Sequence, residues 1–134
     1  MTGNLSLKNA WYVDDDSEMI QAIRLMLKML GYDTRSFFDA RLAAKALLGG
    51  EQPDILILDI NMPAVTGIDM LEFVRRSPDW NKIPIVMLSS EVTDVQVDEA
   101  IGLGADGYVF KPVMIDELEK VIKKAIEKRN QHSG

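Results

Sequence analysis

The chain alternates short, uniformly apolar runs with longer stretches in which apolar residues recur at three- and four-residue spacing. Runs of the first kind are those of strands buried on both faces, and stretches of the second kind are one-sided helices. Ala10 to Val13 predicts a first strand, and Ser17 to Leu30 a helix with Ile20, Ile23, Leu27 and Leu30 on one face. Gly31 stands at its C-cap. Asp33 to Phe37 is more polar and predicts an edge strand; Asp39 then caps a helix that runs to Leu48 and stops at Gly49-Gly50. Ile55 to Leu58 predicts the third strand, followed by a helix from Gly67 to Arg76 halted near Pro78. Pro84 to Leu88 predicts the fourth, followed by a helix from Asp94 to Leu103 and a turn at Gly104-Ala105-Asp106-Gly107. Tyr108 to Phe110 is the fifth strand. The last helix, Ile115 to Arg129, places Leu118, Val121, Ile122 and Ala125 on one face and its Lys and Glu residues on the other, leaving Asn130 to Gly134 as a polar tail.

Five strand–helix units of similar length predict an α/β fold, a doubly wound parallel sheet with helices on both faces. The flavodoxin-like order 2-1-3-4-5 is the common five-stranded solution, with its switch point between strands 1 and 3. Composition narrows the function. The 134 residues suit one domain with its own core, and no cysteine is present, which excludes disulfides and thiolate metal sites. A net charge of −6 argues against direct nucleic-acid binding. No run is long enough to span a membrane, and Met1-Thr2-Gly3-Asn4 does not open a signal peptide. A cytoplasmic, acidic, single-domain protein is the expectation.

In an open α/β sheet, ligands bind outside the carboxyl ends of the strands. The residues that follow strands 1, 3, 4 and 5 are Asp14-Asp15-Asp16, Asp59, Ser89-Ser90 and Lys111. Carboxylates converging on one spot must bind a cation, protonate or pair. Oxygen ligands without His or Cys suit Mg²⁺ (or Mn²⁺). Lys111 adds an ammonium and Ser89 a hydroxyl. A carboxylate nucleophile, a divalent cation, an ammonium and a hydroxyl together are what phosphoryl transfer requires.

Val13-Asp14-Asp15, Leu58-Asp59-Ile60-Asn61-Met62-Pro63, Leu88-Ser89 and Tyr108-Val109-Phe110-Lys111-Pro112 resemble the receiver domain of two-component response regulators, in its single-domain, chemotaxis-regulator form. The resemblance spans about residues 9–129, with 1–8 and 130–134 as short tails. It implies that Asp59 accepts a phosphoryl group from the phosphohistidine of a sensor histidine kinase or histidine phosphotransfer protein. Asp14, Asp15, Asp59 and the backbone carbonyl of Asn61 would hold Mg²⁺, Asp14 directly or through water. Ser89 would turn to the phosphoryl oxygen, Tyr108 would rotate inward as the switch aromatic, and Lys111 would pair with the phosphoryl group. The Lys111–Pro112 bond is expected to be cis. Asn61 and Glu91 stand where the hydrolytic water is tuned, with the residue types of the chemotaxis regulator, which implies rather quick self-dephosphorylation. The implied role is that of a signalling phosphoacceptor without an output domain on this chain. It would switch the face made by helix 4, strand 5 and helix 5 toward a downstream protein or a second copy. On helical phase, Gln96, Asp98, Glu99, Lys120 and Lys124 point outward there.

Simpler readings compete. Asp16 opens the first helix better than it binds metal. Tyr108 suits half-buried packing nearly as well as switching, and His132, the only histidine, is neither a ligand nor a phosphodonor. A pseudo-receiver acting by binding alone would usually have lost one of the acids or the Lys. An aspartyl phosphatase would want a second acid where Asn61 stands. A flavin carrier would not place three aspartates at its phosphate loop. Two departures from the family pattern concern packing. Trp11-Tyr12 puts bulk into the first strand, so neighbouring core residues must be smaller or the strand displaced. Met114 replaces a capping residue, so the last helix starts at Ile115 or Asp116.

Overall fold

The computed structural model describes residues 8–62, 64–90 and 94–132. Strands β1 (Lys8–Val13), β2 (Tyr32–Phe37), β3 (Ile55–Asp59), β4 (Ile85–Ser89) and β5 (Gly107–Phe110) alternate with helices α1 (Ser17–Met29), α2 (Ala40–Leu48), α3 (Gly67–Arg76), α4 (Asp94–Gly102) and α5 (Ile115–His132). Every strand pair is parallel and the order is β2-β1-β3-β4-β5, the expected flavodoxin-like arrangement with the polar β2 at an edge.

Alternation along the strands splits the core in two. Trp11, Val13, Leu56, Leu58, Ile85 and Met87 face the side covered by α2, α3 and α4, where Ala43, Leu47, Met70, Leu71, Val74 and Ala100 close over them. Tyr12, Ile55, Ile57, Val86, Leu88 and Val109 face Ile23 and Leu27 of α1 and Leu118, Ile122 and Ala125 of α5. Both aromatics of β1 are buried without displacing the strand. Trp11 shares its cluster with the buried Ala40, Ala43 and Ala46 of α2, so the helix facing it is small, as its bulk requires. Its ring meets Phe37 edge-on at 5.0 Å, and the Arg35 guanidinium lies 5.6 Å from the Trp11 ring and 4.8 Å from that of Phe37, closing the sheet edge.

The helix ends follow local chemistry. Asp16 caps α1, accepting from the Glu18 and Met19 N–H groups, and Asp39 caps α2 through Arg41 N–H. Thr66 and Asp69 form a reciprocal capping box on α3. Gly31 follows the Leu30 C-cap with φ +92°. As Met114 suggested, α5 begins at Ile115.

Two ends differ from the apolar pattern by more than one residue. β1 starts at Lys8 rather than Ala10, because the exposed Lys8 and Asn9 pair through their backbones with Tyr32 and Asp33, which hydropathy does not register. α5 continues past Arg129 to His132, so the polar tail begins later than expected. No helix breaker intervenes there, and the Arg129 side chain ties this turn to the sheet. Arg129 Nε donates to Asp106 Oδ1 at 2.7 Å, while its terminal nitrogens reach the Gly104 and Asn81 carbonyls. Arg75 of α3 meets the same group from the other side. Its Nη2 lies 2.8 Å from Asp106 Oδ2, and further bonds go to the Gly104, Asn81 and Ile83 carbonyls. The turn read only as Gly-rich therefore holds a buried ion-pair network joining α3, α5 and the start of β4.

Candidate functional site

The parallel register brings the strand ends together. Val13 is level with Leu58, Asp59 with Leu88 and Ser89 with Phe110. Backbone bonds carry the β1–β2, β3–β4 and β4–β5 ladders one residue further, through Asp14 N–H to Phe37 O, Ile60 N–H to Leu88 O and Lys111 N–H to Ser89 O. The residues that leave the sheet at its carboxyl edge are thereby fixed by backbone bonds before any side chain acts.

Asp14, Asp15 and Asp59 meet there, each offering a carboxylate oxygen within 4.8 Å of the others. Asp14 and Asp59 are buried, while Asp15 is exposed and opens the cluster to solvent. Lys111 Nζ lies 3.2 Å from Asp59 Oδ1 and 3.8 Å from Asp14 Oδ2, and the Lys111–Pro112 peptide is cis. Three carboxylates against that ammonium leave the cluster short of positive charge. Burial raises the Asp59 carboxyl to about 6, and the charge of Asp14 adds to this; Lys111 and the backbone N–H of Asn61 hold it back. The donor set is all oxygen, partly buried and open on one side, which fits a hard divalent cation.

Asp16 turns away as the α1 cap, while its own N–H binds Asp14 Oδ1 at 3.0 Å. The other Asp14 oxygen accepts from the hydroxyl of Tyr12, a buried residue on the same face of β1 two positions earlier. Burial, together with Asp14, pushes that hydroxyl well above its ordinary range, so it stands as a donor. The sequence shows Tyr12 only as bulk in the first strand, although its two-residue spacing from Asp14 puts the two on one side of the chain.

Ser89 is buried at the end of β4 and Asn61 is exposed in the loop after β3. Ala64 in that loop adopts φ +64°, a left-handed conformation unusual for a residue with a Cβ. Gly67 opens α3 directly against the end of β3. A Cβ there would collide with the Asp59 carbonyl oxygen and stand 2.9 Å from the Asp59 carbonyl carbon and Ile60 Cα. Tyr108 is half-buried with its ring centroid 4.9 Å from that of Phe110, and its hydroxyl is buried with no hydrogen-bond partner among the described residues. Asp98, Glu99, Lys120 and Lys124 are exposed, as helical phase suggested. Glu91 and the Gln96 side chain lie outside the described residues.

The fold and the cluster define a flavodoxin-like protein with an acidic, lysine-bearing site at its switch point. The family model for the response regulator receiver domain matches residues 11–123, and the chain belongs to this family of two-component signalling proteins. It is similar to the chemotaxis protein CheY of Pseudomonas aeruginosa, at 36% identity over 88% of this chain and 95% of that protein. It is also similar to CheY-3 of Vibrio cholerae, at 31% identity over 87% of this chain and 89% of that protein. Among solved structures, CheY4 of Vibrio cholerae superposes with a TM-score of 0.81 at 30% identity, covering 90% of this chain and 99% of that one. Among the described residues, no helix is long and apolar enough to cross a membrane.

Proposed function

We propose that Asp59 accepts a phosphoryl group from the phosphohistidine of a sensor histidine kinase or histidine phosphotransfer protein in the cytoplasm. The observation that carries this reading is the placement of Asp59, buried at the end of β3, 3.2 Å from the Lys111 ammonium and clustered with Asp14 and Asp15. An Asp59 carboxylate oxygen attacks phosphorus, the P–N bond breaks, and its electron pair leaves on the imidazole. A divalent cation, Mg²⁺ or Mn²⁺, held by Asp14, Asp15, Asp59 and the Asn61 carbonyl would neutralise charge on the phosphoryl oxygens. Lys111 moves from Asp59 to the incoming phosphoryl group, exchanging one anionic partner for another. Ser89 donates its hydroxyl to a phosphoryl oxygen.

The buried, unpartnered hydroxyl of Tyr108 supports its role as the switch aromatic. Leaving a polar atom unsatisfied costs about 1–3 kcal/mol, so a small change at Ser89 suffices to shift its position. The α4–β5–α5 face then changes its preference for a downstream protein or a second copy of the chain. Asn61 and Glu91 set the rate at which water removes the phosphoryl group.

Intact mass after incubation with acetyl phosphate tests the reading. A single phosphoryl adduct that needs Mg²⁺ and is absent from Asp59→Ala is expected. No adduct, together with no binding of the beryllofluoride analogue, would contradict it and leave a module that acts by binding alone.

A further inference from the structure

Among the buried polar groups near the site, the Tyr12 hydroxyl is the one to which neither the fold nor the phosphoryl chemistry above gives a role. We infer that Tyr12 is a positioning residue of the cation site, holding the Asp14 carboxylate in the orientation in which it receives a divalent ion. This inference rests on the proposed function and adds to it a residue from inside the sheet.

Asp14 is completely buried and both of its oxygens are engaged, Oδ1 by the Asp16 N–H at 3.0 Å and Oδ2 by the Tyr12 hydroxyl. The backbone donor fixes one end of the carboxylate. Rotation about the last side-chain bond is then checked only by what holds the other end. Lys111 lies 3.8 Å from that same Oδ2, but it is only partly buried, sits closer to Asp59 at 3.2 Å, and is the group that would leave for the phosphoryl oxygens. Tyr12 cannot leave. Its ring is packed among β1, α1 and α5, in the cluster that contains Ile23, Leu27, Leu118 and Ile122. A mobile donor and a fixed donor therefore share one carboxylate oxygen, and the fixed one remains when the mobile one departs. Outer hydrogen bonds to a ligating carboxylate orient it, and losing one typically weakens metal binding about 10–100-fold.

Calorimetric titration with Mg²⁺, on the wild type and on Tyr12→Phe, tests this. Phe keeps the ring in the core and removes only the hydroxyl. The variant is expected to melt cooperatively and to bind Mg²⁺ about ten-fold more weakly than the wild type. A role confined to packing would change the melting temperature and leave the affinity alone. Equal or tighter binding by a folded Tyr12→Phe would overturn the inference and leave the proposed function standing. A wild type that takes up no Mg²⁺ would overturn both. Should Tyr12→Phe fail to fold, the Tyr12 hydroxyl proton is followed by NMR in the wild type. The inference expects a resonance that persists and shifts as Mg²⁺ saturates the site. A resonance that vanishes, or does not respond, would refute it.

Discussion

Replacing Asp59 by Asn should stabilise the metal-free protein, by an amount that grows with pH. Burial and the Asp14 charge raise the Asp59 carboxyl from 3.8 to about 6 in the folded chain, so the folded state holds this proton more tightly than the unfolded state does. Its contribution to stability is complete below 3.8 and is lost as pH rises through about 6. With about 1.4 kcal/mol for each factor of ten in proton affinity, keeping Asp59 ionised at neutral pH costs about 3 kcal/mol before solvent screening at the open Asp15 side. Screening leaves an expected gain of about 1–3 kcal/mol for Asp59→Asn at about pH 8, vanishing near pH 4. For a chain of 134 residues the unfolding entropy is about 0.3 kcal/mol per degree, so the melting temperature should rise by roughly 4–10 °C. Thermal melts of both proteins in EDTA, taken across that pH range, measure it. A difference that does not change with pH, or a variant less stable at high pH, would refute the electrostatic account of the site.

Two further substitutions probe how the scaffold holds the site. Gly67→Ala places a methyl group against the Asp59 carbonyl, and the end of β3 must shift. A loss of about 1–3 kcal/mol is expected, with slower adduct formation from acetyl phosphate because the displaced backbone carries Asp59; unchanged kinetics would count against close coupling of the two. Asp106→Asn leaves the Arg75 and Arg129 guanidinium groups without their buried counter-charge. Denaturant melts should show a loss of about 3–5 kcal/mol.

The fold was legible because β1, β3, β4 and β5 each contain a short apolar run and most of the helices are one-sided, so element order follows largely from hydropathy, while the polar edge strand β2 is marked mainly by Gly31 and Asp39 on either side. The site was legible for a related reason. Asp14, Asp59, Ser89 and Lys111 each end or follow an apolar run, and topology alone brings those ends together. What escaped reading depends on contacts between distant parts of the chain. Asp106 lies in a turn defined by its glycines, and nothing local shows that Arg75, 31 residues earlier, and Arg129, 23 residues later, converge on it. The left-handed Ala64 carries no glycine or asparagine signal. Lys8 and Asn9 join β1 through backbone bonds, and Arg129 holds on a last helical turn that composition presents as a polar tail.

The most direct test of the central claim is to locate the phosphoryl group chemically. After incubation with acetyl phosphate and Mg²⁺, the protein would be treated with borohydride, which reduces an acyl phosphate to the alcohol and leaves a phosphoester untouched. Peptide mass spectrometry then finds the altered residue. The account expects homoserine at position 59, in Mg²⁺-treated samples alone. Reduction at Asp14 or Asp15, or a phosphoester on Ser89 with Asp59 unmodified, would contradict it.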